Sequence, residues 1–430
     1  MKTMKKLSLL LLGGIMIASC GSDPDPVLVS SITASGTSFE DGSTITSDLN
    51  GASSADGVAL DAVITAVFDK AIVASSATSA NVRLTGNGED VLVAVSATGT
   101  NITIDPTDDL TRGTAYTLSL NNIVAEDEGM LGSISRTFTT EGRAPVIVPS
   151  EDNQIAYWTF DGVADDATGD FPAGDVISVE YGTDRFGQGT STATFDGDAS
   201  VIVIPGADRL LSNRSLSLSF WMKTNSQDHT NANGDPEGHF VFGLAAFKGI
   251  QMEINNGDYN QFKFGQTYML PDGTTTGEDA FFNGDGQFAD NGGWQGWDFH
   301  RDLTGSGGVE ALIKDRWVHV ALTYDAAART HRIYLDGELM KGHDFNLWPE
   351  GAAKLEISGV AYGGAEPSEL PELAFGFVHS PGGELWDDTP WGDYDKPTSK
   401  HFKGDLDDFR VWSVGLSADE VKTLYDAEKN

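Results

Sequence analysis

The chain has 430 residues, 50 of them glycine and only one cysteine, with a formal net charge of −37 at pH 7. That length supplies two or three domains with proper cores. The charge argues against nucleic acid and against anionic lipid head groups, which need Lys and Arg to neutralise phosphate, and leaves neutral glycans, cations and a salty habitat open.

Residues 1–20 read as a processing segment outside the fold. Lys2, Lys5 and Lys6 precede an apolar run from Leu7 to Ala18, too short to span a bilayer as a stable helix. Small residues then lead into the one cysteine, which has no disulfide partner in the chain. The stretch Ile17-Ala18-Ser19-Cys20 resembles the lipobox of bacterial lipoproteins. The resemblance implies cleavage before Cys20 and acylation there, with more than one acyl chain for stable anchoring. Contact with the membrane is thus expected through the lipid anchor only. Residues 21–26, Gly-Ser-Asp-Pro-Asp-Pro, read as a tether, and their acidic start is similar to the surface-export signals of Bacteroidota lipoproteins. The expected location is the bacterial outer membrane, exposed at its surface.

Residues 27–142 read as all-β. "ITIDP" places Ile102 and Ile104 on one face, and "YTLSLNNIV" alternates Tyr116, Leu118 and Leu120 inward with Thr117 and Ser119 outward. Turn signals such as Gly86-Asn87-Gly88 recur at the spacing of a sandwich. The runs "GVALDAVITAVFDKAI", "SANVRLTG", "TGTNITIDPTDDLTRGTAYTLSL" and "RTFTT" together resemble bacterial Ig-like domains of surface proteins, with Gly113-Thr114-Ala115-Tyr116 matching the strand that carries a buried tyrosine. The resemblance implies a spacer, and no constellation for chemistry is visible here.

Residues 143–153, rich in proline and poor in periodicity, read as a linker. Residues 154–430 form a second β-rich unit. "SLSLSFWMKT" sets Leu216, Leu218, Phe220 and Met222 against Ser217, Ser219 and Trp221. "RWVHVALTYD" and "HRIYLDGELM" supply two more strands, and Asp336-Gly337 is a type I′ turn pair. Ser417 with Glu420 three residues on is a capping box, opening a short helix with Val421, Leu424 and Tyr425 on its apolar face. In order, "YWTFDG", "RFGQGTSTATFDG", "SLSFWMKT", "DRWVHVALTYD", "RIYLDGEL" and "FKGDLDDFRVWSVGLSADEVKTLY" look like the laminin-G-like branch of the concanavalin A-like lectin and glucanase superfamily. The resemblance implies a jelly-roll sandwich of two antiparallel sheets. The sequence departs from the compact pattern by insertions at about 225–240, 256–310 and 362–400.

Nine tryptophans then divide by context. Trp158, Trp221, Trp317 and Trp412 lie in predicted strands and are expected in the core, with Trp221 on the opposite sheet face from its neighbours. Trp294, Trp297, Trp348, Trp386 and Trp391 lie among Gly, Asp and Pro in insertions or connections, as in "GGWQGWDFH" at 292–300. Such rings either pin long loops to the sandwich or stack on the apolar face of a pyranose while neighbouring polar groups bond its hydroxyls. The expected ligand contacts are Trp294, Trp297, His300, Trp386, Trp391 and Tyr394, and the expected partner is a polysaccharide or glycoconjugate.

Calcium takes six to eight oxygens. The family often holds a structural calcium, so the resemblance implies Asp161 of "FDG" and Asp407 of "LDDF" as ligands, with Asp408 the adjacent alternative. Zinc is not expected, because the sequence has no HExxH helix. The glucanases of the superfamily use an E-x-D-x-x-E strand, and the chain contains no E-x-D. Nor does it contain a G-x-S-x-G elbow; Glu384 and Asp387 beside Trp386 are the nearest paired carboxylates. The sequence therefore reads as a non-catalytic carbohydrate-binding lipoprotein, with an adhesin for a protein or matrix partner, or a divergent glycan-degrading enzyme, as the alternatives.

Overall fold

The computed structural model describes residues 24–429, apart from 40–41, 52–53, 143–144, 188–189, 232, 287–296 and 397. The protein is all-β, and its contacts divide it into two compact units between Pro145 and Val146. Among the described residues no helix is long and apolar enough to cross a membrane.

In the first unit one sheet orders the strands Thr44–Asp48, Val29–Thr37, Val63–Phe68, Asn101–Pro106 and Val93–Thr98. The other orders Ala55–Val58, Ile134–Thr140, Ala115–Leu120, Val82–Gly86 and Glu89–Val91. The two-residue alternation of each strand decides which side chains meet between the sheets: Ile32, Ile64, Leu84, Ile102, Ile104, Leu118 and Phe138 are all fully buried. Tyr116 is buried as expected. Its ring lies 5.5 Å from that of Phe138, and its hydroxyl accepts from the Thr111 amide at 2.8 Å. Gly86 sits against that ring, where a Cβ would collide with it. Gly86→Ala is expected to destabilise this unit by about 1–3 kcal/mol through overpacking. Urea unfolding of the full chain checks this, and an unchanged midpoint would show that the ring can give way.

The second unit is a sandwich of two larger sheets. The first orders Glu180–Gly182, Thr192–Asp196, Lys403–Trp412, Leu216–Thr224, Trp317–Asp325, Thr330–Leu335, Glu338–Asp344 and Asp298–His300, with Gln154–Trp158 also paired to Lys403–Trp412. The second orders Val176–Ile177, Val201–Ile204, Leu373–Phe375, His239–Leu244, Ile250–Ile254, Phe262–Met269 and Thr275–Phe282. Aromatic rings fill the space between them. Phe220 stacks on Phe409 at 5.0 Å, and Trp158 meets Phe375 edge-on at 5.2 Å. Asp336 and Gly337 both have positive φ, as the I′ turn requires, and the capping box at Ser417 and Glu420 is made.

Two sequence expectations change here. The 256–310 insertion is not one long loop: Phe262–Met269 and Thr275–Phe282 extend the second sheet, because Phe262, Phe264, Tyr268, Ala280 and Phe282 alternate into the core. Trp158 and Trp412 are fully buried and Trp221 is nearly so, but Trp317 is only half-buried and lies outside the hydrophobic clusters. Trp221 owes its burial to helix Ala418–Glu428, which covers part of the outer face of the first sheet and stacks Tyr425 on it at 5.9 Å. Val146 and Val148 pack into the same cluster, so this stretch, read from the sequence as linker, lies against the second unit.

Candidate site: an aromatic ridge on the second sheet

Within the 362–400 insertion Leu373–Phe375 is a strand of the second sheet, and the segment that follows it folds onto the outer face of that sheet. Gly243 makes this possible: the Val378 carbonyl oxygen lies where its Cβ would be. Phe240, Ala246, Phe377 and Val378 form a buried patch under the insertion, and Leu385, Trp386 and Tyr394 pack on it. Tyr394 is half-buried; its hydroxyl donates to the Ala199 carbonyl at 2.6 Å, and its ring meets Phe377 and His401 edge-on. It pins the insertion down rather than facing solvent.

Above this patch three rings form a ridge. Trp386 lies 4.9 Å from Trp391 and 6.0 Å from Phe247, with Phe240 beneath at 6.4 Å. Trp391 is 40% and Phe247 37% exposed, while Trp386 between them is half-buried. The backbone that presents these rings is unusual. Trp386 has φ +68, and Ala245 and Ala246, just before Phe247, have φ +46 and +51. Left-handed backbone at side chains with a Cβ costs about 1–3 kcal/mol each, and persists where surrounding structure enforces it. At Trp386 the enforcement is visible: its carbonyl accepts from both the amide and the hydroxyl of Thr389, at 2.7 and 2.8 Å.

Beside the ridge the sheet is polar. Gly265 leaves a notch whose walls are Phe247, Gln251 and Asp279. Lys263 reaches Glu253 at 3.3 Å and Asp279 at 3.4 Å, and Asn255 donates to Glu253 at 2.8 Å. Gln251 is fully buried, and its Oε1 has no hydrogen-bond partner among the described residues. At the Asn255 end of this strip the Lys400 ammonium donates to the Asn255 carbonyl at 2.9 Å and stands 5.7 Å from the Phe240 ring, and burial pushes the Glu237 carboxyl up to about 7, partly offset by Lys400.

The remaining expected contacts lie elsewhere. Trp294 and Cys20 are outside the described residues. Trp297 is half-buried, its ring 3.8 Å from that of Trp348, which itself stacks on Phe345 at 5.0 Å and packs against the core. That is the loop-pinning arrangement. His300 is 5% exposed and belongs to the strand Asp298–His300, where it bonds Lys341 and Asp298. It is a buried partner of a charged cluster and not a loop side chain open to a sugar.

Calcium at Asp161 and Asp407 does not fit the residues present. Asp161 is exposed. Asp407 is fully buried and paired with the Arg185 guanidinium, which also bonds Asp408 at 2.9 Å. Neighbours on a strand normally point oppositely, but a bulge opposite Phe220, with Asp408 at φ +50, turns both carboxylates to one side. A guanidinium already neutralises the place a cation would take. Among the described residues no three His, Cys, Asp or Glu side chains are grouped to hold a metal ion. Glu384 and Asp387, the nearest pair of carboxylates in the sequence, are both exposed and flank the turn that presents Trp386.

Of these features the sequence alone indicated Trp386 and Trp391. It missed Phe247 and the strip of Gln251, Glu253, Lys263 and Asp279. The signal available was "IQMEI", whose polar alternates stand on a strand with Ile250, Met252 and Ile254 in the core.

Residues 43–140 match the model of the bacterial Ig-like domain family. No curated protein matches the chain. Among solved structures the chain is similar to the botulinum neurotoxin serotype D ligand-binding domain in complex with N-acetylneuraminic acid, at 14% identity over 64% of this chain and 51% of that one, with a TM-score of 0.39. It is also similar to the botulinum neurotoxin type G receptor-binding domain, at 14% identity, 64% and 51% coverage and a TM-score of 0.36. The chain thus spans about half the length of these structures, and the likeness is partial.

Proposed function

We propose that the second unit is a laminin-G-like lectin module, which holds a neutral polysaccharide or glycoconjugate on the Phe247–Trp386–Trp391 ridge without catalysis. The bacterial Ig-like unit is its spacer, and Cys20 is the lipid-anchoring residue that keeps the protein at the outer-membrane surface. One observation carries the reading: two large rings stay exposed on either side of a third, on strained backbone, next to a strip of amide, carboxylate and ammonium groups. A pyranose needs that combination, an aromatic face for its C–H surface and mixed donors and acceptors for its hydroxyls.

The test is a glycan array probed with the chain lacking residues 1–20. Trp391→Ala is expected to weaken glycan retention by about fivefold, the equivalent of roughly 1 kcal/mol for one lost stack. Its melting temperature should change little, because Trp391 touches the buried patch only at its edge, through Phe240 at 6.3 Å, and is not one of the rings packed in it. An array with no retained glycan would sink the reading in favour of a protein-binding adhesin. Shortened products in mass spectra of a retained glycan would instead make the module an enzyme.

A further inference from the structure

The outer face of the first sheet is only partly covered. Helix Ala418–Glu428 lies over the rows that carry Trp221, His319 and Arg410. The next row is open. Strand register sets Glu180, Thr194, Asp405, Lys223 and Trp317 side by side across five strands, on the face that Trp221 shares. A cleft of about 320 Å³ opens at this row, lined by Thr194, Lys223, Asn225, Gln227, Asp315 and Asp405 among others. That volume is at the small end of ligand clefts, which run from about 300 to 1,000 Å³.

Part of the lining is already engaged. Thr194 donates to Asp405 Oδ1 at 2.8 Å, the Gln227 amide donates to Asn225 Oδ1 at 3.0 Å, and Asp315 accepts twice from Ser226. What is left is specific. The second carboxylate oxygen of Asp405, the Asn225 side-chain NH₂ and the Lys223 ammonium make no hydrogen bond to another described residue, although Lys223 is near enough to act on the Asp405 carboxylate through its charge. The set is one strong acceptor and two donors, and the charges of Asp405 and Lys223 cancel. Burial raises the Asp405 carboxyl above its ordinary value, so the group is partly desolvated as well as available. Directly across from Lys223 stands Trp317, the half-buried indole that the core does not use. Opposed side chains in such a pair have Cβ atoms about 5 Å apart, so the indole stands beside Lys223, just outside the residues that line the cleft itself.

We infer that this cleft is a second saccharide site, separate from the ridge and on the opposite sheet. It takes one small neutral sugar unit, whose hydroxyls bond Asp405, Lys223 and Asn225 while its apolar face meets Trp317. The inference rests on the glycan reading for the class of ligand, but not for the place where the ligand binds. Two sites on opposite sheets would let one module engage two strands, or two points of one strand, with the gain in avidity that linkage brings.

The test labels the full chain with 5-fluorotryptophan and follows the ¹⁹F resonances of Trp317 and Trp391, assigned by Trp317→Phe and Trp391→Phe. The probes are hexasaccharides of glucose, mannose, galactose, xylose and N-acetylglucosamine. The expected result is a saturable shift of the Trp317 resonance with at least one probe. Lys223→Met and Asp405→Asn should each raise the apparent Kd at that resonance at least fivefold and leave the Trp391 titration unchanged. If Trp391 responds and Trp317 does not, the cleft is overturned and the ridge stands. If Trp317 alone responds, the cleft stands and the ridge falls. If neither moves with any probe, both fall. A Trp317 shift indifferent to Lys223→Met and Asp405→Asn also overturns the cleft.

Discussion

Replacing Arg185 by leucine is expected to lower the stability of the second unit by about 3–5 kcal/mol, the loss found when one partner of a buried ion pair is removed. The Arg185 side chain is only 5% exposed, and it bridges Asp407 and Asp408 while donating to the Glu428 carbonyl at 3.2 Å. Glu428 in turn accepts from Arg410 and from the Trp221 indole, at 3.0 and 2.9 Å. Without the guanidinium, two carboxylates would be left close together in a place water cannot reach, and the C-terminal helix would lose an anchor. The double variant Arg185→Leu with Asp407→Asn should recover part of the loss, because it removes one of the stranded charges. Calorimetry of the full chain measures both. The same instrument tests the metal: chelation with EDTA should leave the melting temperature of the native chain unchanged. A fall on chelation would mean that a cation, not Arg185, neutralises Asp407 in solution.

Acid should weaken the same unit through its buried histidines. His319 and His343 are 0% and 3% exposed. Burial, with Arg185 adding to it, pushes His319 down to about 3; burial, with Lys341 adding to it, pushes His343 down to about 4. Burial drives His239 and His331 well below their ordinary value too. Each folded-state value lies below the unfolded value near 6.5, so below pH 6.5 the unfolded chain binds protons that the folded chain refuses. The stability these groups contribute is fully present above pH 6.5 and is lost as pH falls toward their folded values. At 1.36 kcal/mol per unit, His319 and His343 account for about 3 kcal/mol each by pH 4. Against a net stability of about 5–15 kcal/mol this is large, and the melting temperature should drop by more than about 10 °C between pH 6.5 and 4.0. A flat profile over that window would show that these imidazoles are hydrated in solution. His319→Gln should flatten the profile in part; Ser219, 2.7 Å from the His319 ring, would keep a partner.

The parts of this protein legible in its sequence are those set by neighbours along the chain. Alternation marked Leu216, Leu218, Phe220 and Met222 as one buried face, and they are in the core. Asp336-Gly337 marked a hairpin and Ser417 with Glu420 a helix start, because φ preference and capping act within four residues. The Ig-like character of the first unit, with its buried Tyr116, was readable for the same reason.

Tertiary structure decided the rest. Whether an indole is core, pin or exposed ring depends on what the fold lays over it, and local sequence carries no record of that. Trp221 shares its face of "SFWMK" with Ser219 and Lys223 yet is sealed by a helix some 200 residues on, while Trp317, in an equally regular strand, is left half-open beyond the end of that cover. Trp386, with Trp391 beside it, meets Phe247 only because the insertion carrying the two indoles folds back across Gly243. Asp407, a cation ligand by family pattern, became the partner of Arg185 through a bulge that no residue type announces. Periodicity and turn chemistry are short-range and are written in consecutive residues; burial and ion pairing join positions hundreds of residues apart, and exist only once the sheets have closed on each other.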